Sequence, residues 1–452
     1  MIAGLARLAA PIVLATGLTA GLAVPATAGT AHAARPAAGN PEPGFAPGTR
    51  FYLPPPSDGA AQQVKQLLAA GDRKDASLIT AMESVPRAVW VDGGTPAQAR
   101  AQVEQTLGRA AGQHAVPVFV LYNIPGRDCA QYSAGGALNQ AAYQAWIDGV
   151  ASGLGHGRAG IILEPDALGN MPSDCHLASN VYPFTDSERT AEVSYAVSAL
   201  GRDPDASVYL DGTHSAWQSV GTITQRLLAA GVRQARGVFV NVSNYQPAPE
   251  LIDYGTWISD CIAIVTDPGN PNYQNPSACG SQYYPATQGD FSTWDKTTQW
   301  YAANMDGAVA TTRFVIDTSR NGTGPNNMQA YAAAPYDQPG SVIATLASGN
   351  WCNPPASGLG LRPAADPGTP LLDAYLWAKT PGQSDGQCDA AGGVRAWDYT
   401  AYSQPGWPTT TAAQQQFDPL WGLVDPAAGA WFSQQALQLA QLASPPLPAP
   451  VG

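Results

Sequence analysis

The chain has 452 residues, 45% of them apolar and only 12% charged, and 34 acidic against 22 basic residues leave a net charge of −12. A chain this long and apolar can bury a sizeable core. Its acidic surplus argues against nucleic acid or an anionic membrane as partner, because both need a basic footprint, and a surface built from Ser, Thr, Asn, Gln, Gly and Pro suits a neutral ligand such as a sugar. In chain order, residues 1–33 read as a signal peptide: Arg7 supplies the positive start, an apolar run follows to about residue 24, and Ala31-His32-Ala33 forms an A-x-A cleavage site. No later segment is apolar enough to span a bilayer, so a secreted, extracellular protein is expected. Residues 34–48 read as a flexible lead-in and 446–452 as a tail, both rich in Ala and Pro, leaving a single domain over 49–445. No internal repeat divides it, and a monomer is expected.

Within that domain, short β-branched runs alternate with Ala-rich helical stretches. Strands are predicted at 88–92 (AVWVD), 116–123 (VPVFVLYN), 160–164 (GIILE), 207–211 (SVYLD), 237–242 (GVFVNV), 313–317 (RFVID) and 374–377 (AYLW). Near-continuous apolar runs of this length suit buried parallel strands. Helices are predicted at 96–113, 139–153, 187–200 and 220–230. The first starts on Pro96, where a missing N–H costs little; the third follows Thr185-Asp186-Ser187-Glu188, a capping-box pattern. Seven such alternations predict an α/β fold, either a parallel barrel or an open doubly wound sheet.

Nearly every predicted strand ends in a polar residue: Asp92, Asn123, Glu164 with Asp166, Asp211, Asn241, Asp317 and Lys379. In parallel α/β folds the ligand sits beyond the carboxyl ends of the strands, so these side chains are expected to converge on one cleft. Helix capping is the alternative, and explains one or two of them. Two post-strand segments carry carboxylates suited to acid/base chemistry, VLYNIPGRDC around Asp128 and IILEPDAL around Asp166. Cleavage of a glycosidic bond needs one carboxyl kept protonated near neutral pH and an ionised partner. Arg127 and Asp128 could instead form a structural ion pair. Each of the 12 tryptophans reads either as core or as a platform for a pyranose face. The six cysteines suggest disulfides in an exported chain, with fifteen pairings open. With no CxxC and five scattered histidines, neither a metal nor another cofactor is expected.

The segments VLYNIPGRDCAQYSAGG and IILEPDALGN resemble the two signatures of glycoside hydrolase family 6. The resemblance continues through VYLDGTHSAW, NVSNY, IDTSRNG, NWCNPP and LLDAYLWAKTPGQSDG, in family order and across residues 51–431. It implies a distorted seven-stranded parallel β/α barrel, TIM-like, and a cellulase acting on β-1,4-glucan with inversion at the anomeric carbon. Asp166 is then the general acid, Asp128 its pKa-raising neighbour, Asp385 the proposed base, and Tyr122 the residue that crowds and distorts the sugar ring. Trp90 resembles the stacking platform on the non-reducing side, and Trp217 and Trp351 those on the leaving-group side. Asp211, His214, Asn241 and Lys379 resemble groups that hold sugar hydroxyls. Cys129–Cys175 and Cys352–Cys388 match the family's disulfides, leaving Cys261 and Cys279 to pair with each other or stay free. Inversion implies carboxyls about 6.5–9.5 Å apart.

The sequence departs from the family in three places. Gln383 stands where a glutamate is common, Ala134 where relatives carry a serine, and residues 246–312 form a longer segment than in compact members. The segment after Asp128 is short, as in open-cleft endoglucanases, whereas the stretch 386–425 is long, as in exo-acting cellobiohydrolases whose loops close a tunnel. Endo action is favoured. A non-catalytic glucan-binding protein is the alternative of another class, and retention of Asp128, Asp166, Asp385 and Tyr122 argues against it.

Overall fold

The computed structural model describes residues 44–448; the signal peptide expected over 1–33 lies outside them. Eight strands form one sheet: β1 Val89–Val91, β2 Val118–Leu121, β3 Ala159–Leu163, β4 Ala206–Asp211, β5 Gly237–Val240, β6 Arg313–Asp317, β7 Ala364–Ala365 and β8 Leu372–Leu376. Their order is β1-β2-β3-β4-β5-β6-β8-β7. Seven strands run parallel, and β7 pairs antiparallel with β8 at the edge. All seven predicted strands are present. The eighth is a two-residue Ala-Ala segment that carries no hydrophobic pattern of its own and forms only because β8 offers it an unpaired edge.

The sheet curls back on itself. Ala88 N donates to Trp377 O at 2.9 Å and Trp90 Nε1 to Ala378 O at 2.8 Å, which brings β1 against the end of β8 without a ladder between them. That contact decides for a distorted barrel over an open sheet. Side chains alternate between two cores, as the period of a strand requires. Phe119, Leu121, Ile161, Leu163, Val208 and Leu210 face the outer helices. Val118, Val120, Ile162, Tyr209, Phe239 and Val315 fill the barrel interior. Burial on both faces is why the strands read as unbroken apolar runs.

The predicted helices are Pro96–Gly112, Gln140–Leu154, Asp186–Leu200 and Val220–Ala229. Thr95 with Gln98 and Thr185 with Glu188 form reciprocal capping boxes at the first and third. Parts of the expected lead-in and tail belong to the packed body. Phe45 is buried, 5.0 Å from the Phe51 ring and 6.2 Å from Tyr209, and Arg362 Nη2 donates to Pro445 O at 2.9 Å beside buried Leu447. The cysteines pair as Cys129–Cys175, Cys261–Cys279 and Cys352–Cys388, with no free thiol among the described residues. Cys261 lies on the helix Ala248–Thr266, so the middle bridge fastens that helix to the long segment that follows it.

Candidate active site

A cleft of about 560 Å³ opens at the carboxyl ends of the strands, and its walls include Trp90, Tyr122, Asp128, Asp166, Trp351, Lys379 and Asp385. A larger hollow of about 690 Å³ between the helices Asp58–Ala69 and Arg73–Glu83 has no carboxylate in its lining, so it offers no acid/base pair.

Two loops carry the first pair of carboxylates and are tied to each other from below. Cys129–Cys175 links them covalently. Glu164 accepts from the backbone N–H of Asn123 (2.9 Å) and Ile124 (2.9 Å). The buried Arg189 donates to the carbonyls of Pro125, Gly126, Ala167 and Asn170. The loops themselves adopt left-handed backbone, with φ of 57° at Asp128, 51° at Glu164 and 66° at Asp166. Such conformations cost free energy in non-glycine residues and persist only where surrounding contacts over-determine them.

Asp128 Oδ2 accepts from both the backbone N (2.7 Å) and the hydroxyl (2.7 Å) of Ser133. Because the Ser133 hydroxyl has one proton and spends it on Asp128, the Tyr122 OH 3.1 Å away must donate to Ser133. Burial raises the Asp128 pKa, Ser133 and Arg127 oppose that, and Asp385 adds to it. Arg127 makes no ion pair with Asp128. Its guanidinium donates to the carbonyls of Ser133 (2.9 Å), Asp92 (2.9 Å) and Tyr122, and lies 4.5 Å over the Tyr122 ring.

Asp166 keeps part of its surface open to the cleft while the surrounding walls desolvate it, and no group among the described residues hydrogen-bonds its carboxyl. Burial pushes its pKa well above the usual range, and the negative charges of Asp211, Asp128 and Asp385 push it further; Lys379 opposes them. Asp385 is the opposite case. Arg320 Nη1 lies 2.8 Å from Oδ2, Lys379 Nζ 3.1 Å from Oδ1, and both Tyr245 OH (3.1 Å) and Asn353 N (3.0 Å) donate to Oδ2. Burial alone would raise this carboxyl, but the two cations hold it down at about 2. The site therefore contains one carboxyl kept as the acid and one kept ionised, as acid/base cleavage requires.

The sequence matches the family model for glycosyl hydrolases family 6 over residues 46–443. The chain belongs to glycosyl hydrolases family 6. It is 32% identical to endoglucanase A of Thermobispora bispora over 352 residues, covering 76% of this chain and 59% of that one. The curated relatives it matches first are thus longer, and the chain spans 59% of their length. Among solved structures it resembles the endoglucanase Cel6 of Mycobacterium tuberculosis, determined in complex with methyl-cellobiosyl-4-deoxy-4-thio-β-D-cellobioside. The TM-score is 0.58 at 32% identity, covering 88% of this chain and 98% of that one. The catalytic core of the Chaetomium thermophilum cellobiohydrolase Cel6A shares the fold, with TM-score 0.57 at 24% identity over 89% of this chain and 99% of that one.

Within this family member, not every polar strand end reaches the cleft. Asp92, Asp166 and Lys379 line it. Glu164, Asp211, Asn241 and Asp317 are buried and spend their oxygens on loop backbone. Asp211 accepts from the N–H of Leu168 (3.1 Å), Gly169 (3.0 Å) and Thr213 (2.9 Å), and burial raises it to about 6. Asp317 accepts from four backbone N–H groups, those of Ser243, Ser319, Ala378 and Lys379. Asn241 accepts from Gln246 N at 3.0 Å and donates to Asp317 O at 2.8 Å. Expected as sugar ligands, Asp211 and Asn241 instead hold the loops that surround the cleft. His214 stands beside Trp217, ring centroids 5.6 Å apart, with its imidazole pulled down to about 4 by burial. Trp217 packs over Gly169 in the acid loop, where any Cβ would collide with the indole. Ala134 and Gln383 line the cleft.

Four residues central to the site were missed in the sequence: Arg320, Tyr245, Asn353 and Tyr132. Arg320 is fully buried and also lies 4.4 Å over the Tyr245 ring. A lone arginine inside IDTSRNG, just past a predicted strand, was the available signal for it. Tyr132 lines the cleft and crosses to the far loop. Its OH donates to Asp389 Oδ1 (3.1 Å) and accepts from Asp389 N (3.1 Å), while its ring fills the space left by Gly386 and Gly392.

Proposed function

We propose that the protein is an exported cellulase that hydrolyses β-1,4-glucosidic bonds of cellulose and related β-glucans with inversion, acting within the chain. The observation that carries this is the opposition of Asp166, a cleft-facing carboxyl with no hydrogen bond among the described residues, and Asp385, an ionised carboxyl pinned by Arg320 and Lys379. Asp166 protonates the leaving oxygen. Asp128 keeps that proton available and supports the oxocarbenium-like charge, and Tyr122 crowds the ring toward its distorted form. A carboxylate held at about 2 is a weak proton acceptor. Asp385 therefore orients the attacking water and stabilises charge, a role that fits proton relay through a second water better than direct abstraction. Trp90 offers a platform on the non-reducing side and Trp351 one on the leaving-group side, and Lys379 lines the same cleft; Trp217 and His214 stand outside that lining, and the family resemblance alone gives them a sugar-binding role further along the chain. Three disulfides suit an oxidising, extracellular setting.

The short loop after Asp128 favours endo action, as do the endoglucanase names of the relatives at 32% identity. A specific observation favours the exo reading as second choice: the forty residues 386–425 pack beside Asp385, and Tyr132 joins them to the opposite loop. The test is viscosity loss against reducing ends released from carboxymethyl cellulose, beside Asp166→Ala. Rapid viscosity loss, falling by about 10²–10⁴-fold in the variant, supports endo hydrolysis with Asp166 as acid. Slow viscosity loss with cellobiose as main product favours the exo reading. No product from any β-glucan refutes hydrolysis.

A further inference from the structure

Behind Asp385 lies a buried polar cluster of which the chemistry above uses only the backbone N–H of Asn353. Its centre is Asn353, fully buried with a φ of 38°. Asn353 holds Asp385 twice: its backbone N donates to Asp385 Oδ2 at 3.0 Å, and its Oδ1 accepts from Asp385 N at 2.8 Å. That second bond fixes the amide orientation, because a backbone N–H can only donate. The Asn353 Nδ2 therefore faces acceptors: Ser384 Oγ, Gly386 O and Asp425 Oδ2, each at 2.9 Å. Trp421 Nε1 closes the cluster by donating to Asn353 O at 2.7 Å.

Beyond Asp425 come Asp418 and Arg395, all three essentially without solvent contact. Arg395 Nε and Nη2 both lie 3.0 Å from Asp418 Oδ2. One cation thus faces two carboxyls. An unpaired buried carboxylate is costly, so charge balance leaves one of the two protonated. Arg395 is spent on Asp418, which makes Asp425 the neutral one. The hydrogen bonds agree. Asp425 Oδ2 accepts from Asn353 at 2.9 Å, while the buried Oδ1 has no donor to accept from, as fits a carboxyl that carries its own proton there. Burial, then the Asp418 charge, raises Asp425 to about 9. The other charged groups near the cluster are Arg320 and Lys379, across Asn353 on Asp385, and the tyrosines facing Asp418 are Tyr331 and Tyr399.

We propose that Asp425 is a positioning residue for the hydrolytic site: as a neutral acid beside the Arg395–Asp418 pair it fixes the Asn353 amide, and Asn353 in turn fixes both backbone and carboxylate of Asp385. The inference rests on the assignment of Asp385 to the hydrolytic step. It gives the long 386–425 stretch a task at the reaction centre, since its far end folds back to brace the loop it left.

Three variants of the full chain test this on soluble β-glucan, with wild-type hydrolysis measured first; its absence would sink the functional proposal and this one with it, whereas hydrolysis by the wild type leaves the variants to decide the positioning alone. Asp425→Leu removes the acceptor and the proton. Because Asp385 touches the reacting water and not the bound sugar chain, kcat is expected to fall by about 10-fold to 10²-fold with KM within about twofold. Asn353→Ser removes the amide but leaves Arg395 with Asp418 and Asp425, so it reports on the same loss if the leucine variant does not fold. Asp425→Asn, neutral and able to accept from Asn353, is expected to restore most of the kcat and the melting temperature. Wild-type kcat in Asp425→Leu or Asn353→Ser overturns the proposal. So does an Asp425→Asn variant as impaired as Asp425→Leu, because that is the result for an ionised Asp425.

Discussion

Replacing Arg320 with methionine removes the stronger of the two cations that hold Asp385 ionised. The guanidinium is fully buried, 2.8 Å from Oδ2, and methionine fills much of its volume without a charge. Asp385 is held at about 2 in the folded chain, against about 3.9 when unfolded. That difference is worth on the order of 3 kcal/mol of folding stability. The folded pKa is depressed, so the contribution is complete above about pH 4 and is lost as pH falls through about 2. In the variant only Lys379 and the hydrogen bonds from Tyr245 and Asn353 oppose burial, and the carboxyl rises toward its ordinary value. Thermal unfolding of wild type and Arg320→Met from pH 2.5 to 7 should show a stability gap that is widest above pH 4 and narrows toward the acid end. The acid limb of kcat should move up once the Asp385 carboxyl rises past that of Asp128, which burial already raises, because Asp385 must be ionised to orient water. A gap that stays constant with pH would refute the reasoning, since it would mean that the arginine acts through packing and not through the Asp385 charge.

Three further outcomes follow from the same geometry. Ser133→Ala removes one of the two bonds to Asp128 Oδ2 and the acceptor of Tyr122 OH. With a stabilising bond to the anion gone, the Asp128 pKa rises, so the acid limb of kcat/KM should shift upward and kcat should fall by about tenfold; an unchanged pH profile would count against the Tyr122–Ser133–Asp128 chain. Trp351→Ala should raise KM on cello-oligosaccharides by about tenfold with a smaller change in kcat, measured by product release, because a stacking platform binds ground state and transition state alike. Cys261→Ser with Cys279→Ser opens a loop of 18 residues and should cost about 3 kcal/mol in thermal unfolding while sparing activity; lost activity at full stability would contradict a structural role.

The local features that sequence reasoning depends on are legible before any folding. Near-continuous apolar runs of four to eight residues suit strands buried on both faces, and seven of them appear as the parallel staves of the barrel. Thr185 and Glu188 stand at the spacing a helix start requires, and they cap one. Asp128 and Asp166 were legible because each follows such a strand within a family motif, and both line the cleft. The destination of the other polar strand ends was not. Glu164, Asp211, Asn241 and Asp317 sit at the same sequence positions as Asp92 and Lys379, yet their oxygens serve N–H groups of neighbouring loops. Which way such a side chain turns depends on whether a loop from elsewhere in the chain brings it unpaired donors, and buried donors must be satisfied. The same holds for Arg320, which meets Asp385 65 residues on, and for Asn353, which meets Ser384 31 residues on and Asp425 72 residues on. Sequence determined the strands, the caps and the loops that bear the two carboxylates nearest the barrel. Only the tertiary structure decided which of its polar residues face the cleft and which hold it open.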